Sequence, residues 1–282
     1  MPEITKINSV DAVWQTALQL AVASQETIQG RNGEVLSLPP QKFFISCKAG
    51  AFPLVTIKKM PFKSIAAEMC GFLKGAQTTQ EFKALGTSVW EKNSEAWPNK
   101  KFPGDLGKIY GAQWRRFGGK FDQIEALIKG LRLDPYGRRH VVTAWNPIDL
   151  PEMALPPCPV LFQCLLRPGS LTQIKKLTLV VYQRSMDLFL GAPFDFAGYG
   201  LLMWLICKEL GQCTPEALIF FVADPHLYKE HIEVAKTALS LPSFSSPKLL
   251  VTESIFSADL APESFRLVDY FHGPVLQAKM VV

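Results

Sequence analysis

The chain predicts an α+β fold built as one domain. Two patterns and one absence predict it. Apolar residues recur at helical spacing in several stretches, and short strand-like runs occur at 141–145, 160–166, 177–182 and 218–222. The absence is of punctuation: the 282 residues show no internal repeat, low-complexity tract or clear linker, and they suffice to bury one large core.

Taken in order, Ser9 predicts an N-cap for a helix to about Ser24, with Val10, Val13, Trp14 and Leu18 on one side. Gln29-Gly30-Arg31-Asn32-Gly33 is a glycine-flanked loop; a solvated turn or an anion clamp both fit it. Residues 34–45 and 52–57 read as extended. A helix over 61–75 carries Ile65, Met69, Phe72 and Leu73, and Glu68 shares their inward stripe. A carboxylate there is costly unless it has partners or a task, and burial would raise its pKa toward the range useful for acid–base chemistry. A short helical piece follows at 80–85. Residues 97–107, rich in Pro, Asn, Lys and Gly, read as a flexible surface loop. Gly107 and Gly111 around Tyr110 suggest close backbone packing.

An amphipathic helix spans 121–131 and stops at Asp134-Pro135-Tyr136-Gly137. Arg138-Arg139 opens the next strand, as a solvated pair or an anion anchor. In Leu155-Pro156-Pro157-Cys158-Pro159 a fixed turn would hold one sulfur at a defined place. Tyr182-Gln183-Arg184-Ser185 and a Gly191-Ala192-Pro193-Phe194-Asp195 turn follow. That turn opens an apolar helix over 196–210, closed by Gly211. Asp224 to Tyr228 leads to a helix through Leu239. Residues 248–252 form the last predicted strand, before a tail containing Tyr270, His272 and Pro274.

Composition narrows the function. With 48% apolar and 20% charged residues, the chain reads as a soluble globular enzyme. A diffuse net charge of +5, with no long basic run, argues against nucleic acid and for local anion sites. The longest apolar run, about 196–207, is too short to span a bilayer. No C-x-x-C pair occurs among the six cysteines, which argues against a zinc ribbon, and no metal is expected. Without an apolar leader at its start, the chain is expected in the cytoplasm, with reduced thiols.

The order Glu68, Trp90, Tyr110, Arg138-Arg139, Cys158, Gln183-Arg184-Ser185-x-Asp187, Gly191-x-Pro193-Phe194, His226-x-Tyr228 and Tyr270-x-His272-x-Pro274 resembles the thymidylate synthase family over nearly the whole chain. The resemblance implies that family's α+β fold, a homodimer packed through a mixed sheet with surrounding helices. It implies one-carbon transfer from 5,10-methylenetetrahydrofolate to C5 of a pyrimidine nucleoside monophosphate. Cys158 would add to C6 of the base, and Glu68, Tyr110 and Asp195 would complete the catalytic set. Arg31, Arg184 and Ser185 would bind the phosphate, with Arg138 and Arg139 entering from the other subunit. Gln183 would join the nucleotide site, and His226 and Tyr228 would hold the ribose 3′-hydroxyl. Trp90, Leu155, Asp187, Gly191, Phe194 and the tail to Val282 would form the folate pocket.

The departures concern the base. The family usually carries Asn where Asp195 stands, and His where Pro159 stands. An Asn amide matches uracil, accepting from N3–H and donating to O4. Cytosine presents the reverse edge, and a carboxyl group can accept from N4 and share a proton with N3. Asp195 therefore argues for dCMP, and on this point the chain resembles deoxycytidylate hydroxymethylases. Pro159 removes a polar ring from the same region. At C5, water would give hydroxymethyl and hydride would give methyl; hydroxymethylation is the first reading, with the methyl product or a thymidylate synthase that tolerates Asp195 and acts on dUMP as the alternatives. Either cytosine product would suit a bacteriophage that replaces DNA cytosine, acting in its host's cytoplasm. A non-catalytic nucleotide- or RNA-binding relative fits less well, since Cys158, Glu68 and Arg184 are intact and no basic stripe exists.

Overall fold

A computed structural model describes residues 9–24, 26–30, 32–169 and 173–281. It is an α+β structure with a five-stranded sheet ordered β3-β8-β6-β5-β4. These strands are β3 (Gln41–Ser46), β4 (Val141–Thr143), β5 (Pro159–Pro168), β6 (Lys175–Gln183) and β8 (Cys213–Val222). β6 and β8 run parallel and the other neighbours antiparallel. One face packs on α7 (Gly191–Leu210), a helix apolar nearly all round because it lies between that sheet and α2 (Phe62–Lys74). The opposite face exposes Val141, Tyr182 and Phe221. No helix among the described residues is long and apolar enough to cross a membrane.

A second sheet, β1 (Thr27–Gly30), β2 (Gly33–Ser37), β9 (Pro225–Tyr228) and β7 (Met186–Asp187), brings distant segments together. The β1–β2 hairpin turns at the predicted glycine-flanked loop. Arg31, like Val282, lies outside the described residues.

Helix α1 (Val10–Ala23) starts where Ser9 Oγ accepts from Ala12 N at 3.2 Å. Residues 52–57 are buried but join no strand, unlike the sequence expectation. A side chain fixes their far end: Asp11 accepts from Thr56 N (2.8 Å), Thr56 Oγ1 (2.7 Å) and Ile57 N (3.2 Å), while Phe52 N donates to Pro247 O (2.9 Å). Asp11→Ala leaves those donors unpaired in the core and is expected to cost about 2–4 kcal/mol by urea denaturation. A loss under ~1 kcal/mol would show that water satisfies them.

Close packing at two glycines is observed. On α5 (Tyr110–Arg116), a Cβ at Gly111 would sit 2.9 Å from Phe72 O on α2. Gly107 has φ +67°, and a Cβ there would meet Glu152 O at 1.9 Å, blocking its bridge to Met153.

Other expectations are corrected. α4 (Glu91–Ala96) precedes residues 97–107, and these are not a loose loop. Asp105 is buried there and accepts from Lys101 N and Gly107 N, each at 2.9 Å. The segment Gly191–Asp195 is not a turn ahead of α7 but its first turn. A strand missed in sequence, β11 (Phe265–Val268), pairs antiparallel with β10 (Lys248–Val251).

Candidate active site

These elements surround one open cavity of about 1480 Å³. Cys158 stands at its wall, just ahead of β5. The prolines before it have no N–H, so that segment cannot pair as strand, but its carbonyls remain available. Arg184 takes them: Nε donates to Pro157 O and Nη2 to Pro156 O, both at 2.8 Å. Arg184 N donates to Cys158 O (2.9 Å), and Nη2 lies 3.7 Å from Cys158 Sγ. The β5–β6 register sets this up by pairing Pro159 with Gln183. From α5, Tyr110 OH accepts from Cys158 N at 2.8 Å.

Two carboxyls face the same space from packed helices. Burial, then the charge of Asp195, pushes Glu68 on α2 up to about 8. Trp90 Nε1 is itself buried with no hydrogen-bond partner among the described residues. Burial, with Asp187 contributing, also pushes Asp195 on α7 up to about 7. Gln183 works against that shift: its Nε2 donates to Asp195 Oδ2 at 2.6 Å and to Ser185 O at 3.1 Å. Near neutral pH this pair of acids thus holds protons as well as charge.

Glu68→Gln tests that electrostatic cost. Its folded pKa is raised, so its stabilising contribution is complete below the unfolded value near ~4.3 and is lost as pH rises through about 8. The variant should therefore gain about 1 kcal/mol or more over the parent at pH 8, with a smaller gain at pH 5, read from thermal melts. Equal gains at both pH values would contradict the shift.

At another wall, His226 and Tyr228 on β9 stand edge to face at 5.2 Å. Asp224 receives Ser37 Oγ (3.3 Å) and Ser185 Oγ (3.4 Å), and lies 3.5 Å from His226 Nδ1. Burial alone would lower the His226 pKa, but Asp224 outweighs it and raises it. Trp90, Leu155, Gly191 and Phe194 line a more apolar region together with Asp187 and the tail residues Leu276, Ala278 and Met280.

The structure therefore brings Cys158, Glu68, Tyr110, Asp195, Gln183, Arg184, Ser185, His226, Tyr228, Trp90, Leu155, Asp187, Gly191 and Phe194 to one cavity. It does not bring Arg138 and Arg139 there; both are exposed beside β4. Sequence reasoning missed Tyr199, one turn after Asp195, whose phenol is pushed up by burial and by Asp195, Glu68 and Cys158. The i, i+4 spacing would have found it had α7 been started at Gly191. It also missed Lys58, a buried lysine whose Nζ donates to Phe189 O at 2.8 Å and lies 4.1 Å from the Phe189 ring centroid. Burial lowers its pKa to about 8.

A thiol beside a guanidinium, with acids and phenols around it, can add to an electrophilic ring and move protons on and off it. Comparison with known proteins agrees with that chemistry. The family model described as "Thymidylate synthase" matches residues 14–282. The thymidylate synthase of Staphylococcus haemolyticus (strain JCSC1435) is 32% identical over 327 aligned positions, covering 98% of this chain and 100% of that protein.

Proposed function

The chain belongs to the thymidylate synthase family, and from that premise we propose that its substrate base is cytosine and its product 5-hydroxymethyl-dCMP. The family performs folate-dependent one-carbon transfer to a pyrimidine nucleotide, with 5,10-methylenetetrahydrofolate as co-substrate. The observation that carries the finer reading is Asp195: a carboxyl raised to about 7, held on one oxygen by Gln183 and lining the cavity with Cys158.

The residues would work as follows. Cys158 Sγ adds to C6 and leaves an electron pair at C5, dividing one hard step into two. Adding a thiolate puts negative charge on the ring, and protonated Asp195 discharges it by giving its proton to N3. Its ionised form accepts from the N4 amino group. Glu68, with a pKa near 8, relays protons to the departing folate nitrogen and from C5. Ser185 and Arg184 bind phosphate, with Arg31 a further candidate. His226 and Tyr228 hold the ribose. The co-substrate supplies the one-carbon unit. The chain's donor set fits it: Trp90, Leu155 and Phe194 offer flat apolar walls, and the Asp187 carboxylate can accept from ring N–H groups. Water added to the C5 methylene, followed by return of the N3 proton to Asp195 and expulsion of Cys158 Sγ from C6, completes hydroxymethylation; polar Glu68, Tyr110 and Tyr199 on the cavity lining would hold that water.

A second copy on the open face of the five-stranded sheet would cover Val141, Tyr182 and Phe221. It would also give exposed Arg138 and Arg139 a role at the partner's phosphate site. One observation favours a second outcome at C5. Apolar tail residues and Trp90 line the cavity, and such packing would exclude water in favour of hydride, giving 5-methyl-dCMP.

Steady-state assays with dCMP and dUMP test the base. A higher kcat/KM for dCMP supports the proposal; turnover of dUMP alone overturns it. Growth of dihydrofolate absorbance with dCMP would select the methyl outcome.

A further inference from the structure

We propose that His231 is a positioning residue that latches the C-terminal strap, residues 275–281, to Asp187 across the cavity wall. The proposal rests on the reading of that cavity as a folate site. The strap carries no helix or strand, yet it supplies Val275, Leu276, Gln277, Ala278, Met280 and Val281 to the cavity lining. Its base is fixed where Gly273 N donates to Thr56 O (2.8 Å) and Lys59 N donates to Pro274 O (2.9 Å). Farther along, the Lys279 carbonyl meets His231 Nε2 at 2.8 Å.

His231 is well placed to hold that point. It is 1% exposed and follows β9 directly. Its ring packs against Phe189 and Tyr228, each with centroids 5.7 Å away. A carbonyl can only accept, so Nε2 carries the proton. The other ring nitrogen then faces Asp187: Nδ1 lies 3.9 Å from Oδ1, with no hydrogen-bond partner among the described residues. Asp187 Oδ1 is fixed in turn by Phe189 N at 2.9 Å, and Asp187 lines the cavity. One imidazole therefore bonds the strap on one side and faces a cavity carboxylate 3.9 Å away on the other. Seating of the strap and seating of a ligand on Asp187 become linked events, so each favours the other.

The test compares the parent with His231→Phe, which keeps a ring but no donor, and His231→Gln, which keeps a donor. Two readouts are used: backbone hydrogen exchange of residues 275–281 without ligand, and steady-state KM values for 5,10-methylenetetrahydrofolate and for the nucleotide that turns over. His231→Phe is expected to exchange ~5-fold faster or more in the strap. Its folate KM should rise ~5- to 10-fold while its nucleotide KM moves less than ~2-fold. His231→Gln should recover most of both. Unchanged strap exchange in His231→Phe overturns the latch. Faster exchange with an unchanged folate KM overturns its link to Asp187. If the parent turns over neither dCMP nor dUMP with folate, the reading of the cavity fails, and the exchange arm still decides the latch. If His231→Phe does not fold, His231→Met takes its place with the same expectations.

Discussion

Replacing Cys158 with alanine is expected to lower kcat by ~10⁴-fold or more while nucleotide affinity changes less than ~10-fold. The size follows from the chemistry. C5 of a pyrimidine is a poor nucleophile until a group adds at C6, and no other thiol or amine among the cavity groups stands where Arg184 fixes this sulfur. Binding should survive because the turn is held through backbone atoms: Cys158 N to Tyr110, Cys158 O to Arg184 N, and the proline carbonyls to the guanidinium. Calorimetric titration with nucleotide and a single-turnover assay measure both quantities. Residual turnover within ~10-fold of the parent would remove the covalent step.

Asp195→Asn is expected to shift the ratio of kcat/KM for dCMP over dUMP by ~10²-fold or more toward dUMP. Two contacts change together, at N3 and at the exocyclic group, and each mismatched buried group costs about 1–3 kcal/mol. The Gln183 amide can still donate to an Asn oxygen, so the change should leave the local packing in place. The pH profile carries a separate signature. The pKa of Asp195 is raised to about 7, so the protonated form that serves N3 is present below that pH and lost above it. Turnover of dCMP should fall as pH rises through 7 to 8, and the Asn variant should lack that limb. An unchanged preference in the variant would put base selection elsewhere, with Tyr199 the neighbouring group to examine.

The fold class was legible in sequence, and so was the grouping of the candidate residues in one cavity where that grouping is local. The cysteine turn and the Arg184 string are local: proline chemistry and a register pairing of adjacent strands bring them together. Strands β5, β6 and β8 were legible because long apolar runs between turn residues have few other fates. Residues 52–57 have the same composition, yet their backbone partners are scattered: Thr56 N and Ile57 N donate to the distant Asp11 carboxylate, and Phe52 N donates to Pro247 O. Pro193 read as a turn residue, but in a first helical turn it gives up an N–H that has no partner anyway. That one misplacement hid Tyr199. Lys58 left no signal, since a lysine is read as solvated unless the aromatic rings and carbonyl around it are known. The latch at His231 was equally hidden, because its acceptor lies on the backbone of a tail 48 residues away. Arg138 and Arg139 illustrate a different limit: both are exposed beside β4, away from this cavity, and a single chain gives them no part in it.

Mass analysis of the nucleotide formed from dCMP and 5,10-methylenetetrahydrofolate tests the central claim most directly. The expected product is heavier than dCMP by one CH₂O unit, with tetrahydrofolate released beside it. A gain of CH₂ with dihydrofolate would contradict the hydroxymethyl outcome, and unaltered dCMP beside dUMP that is converted would contradict the assignment of the base.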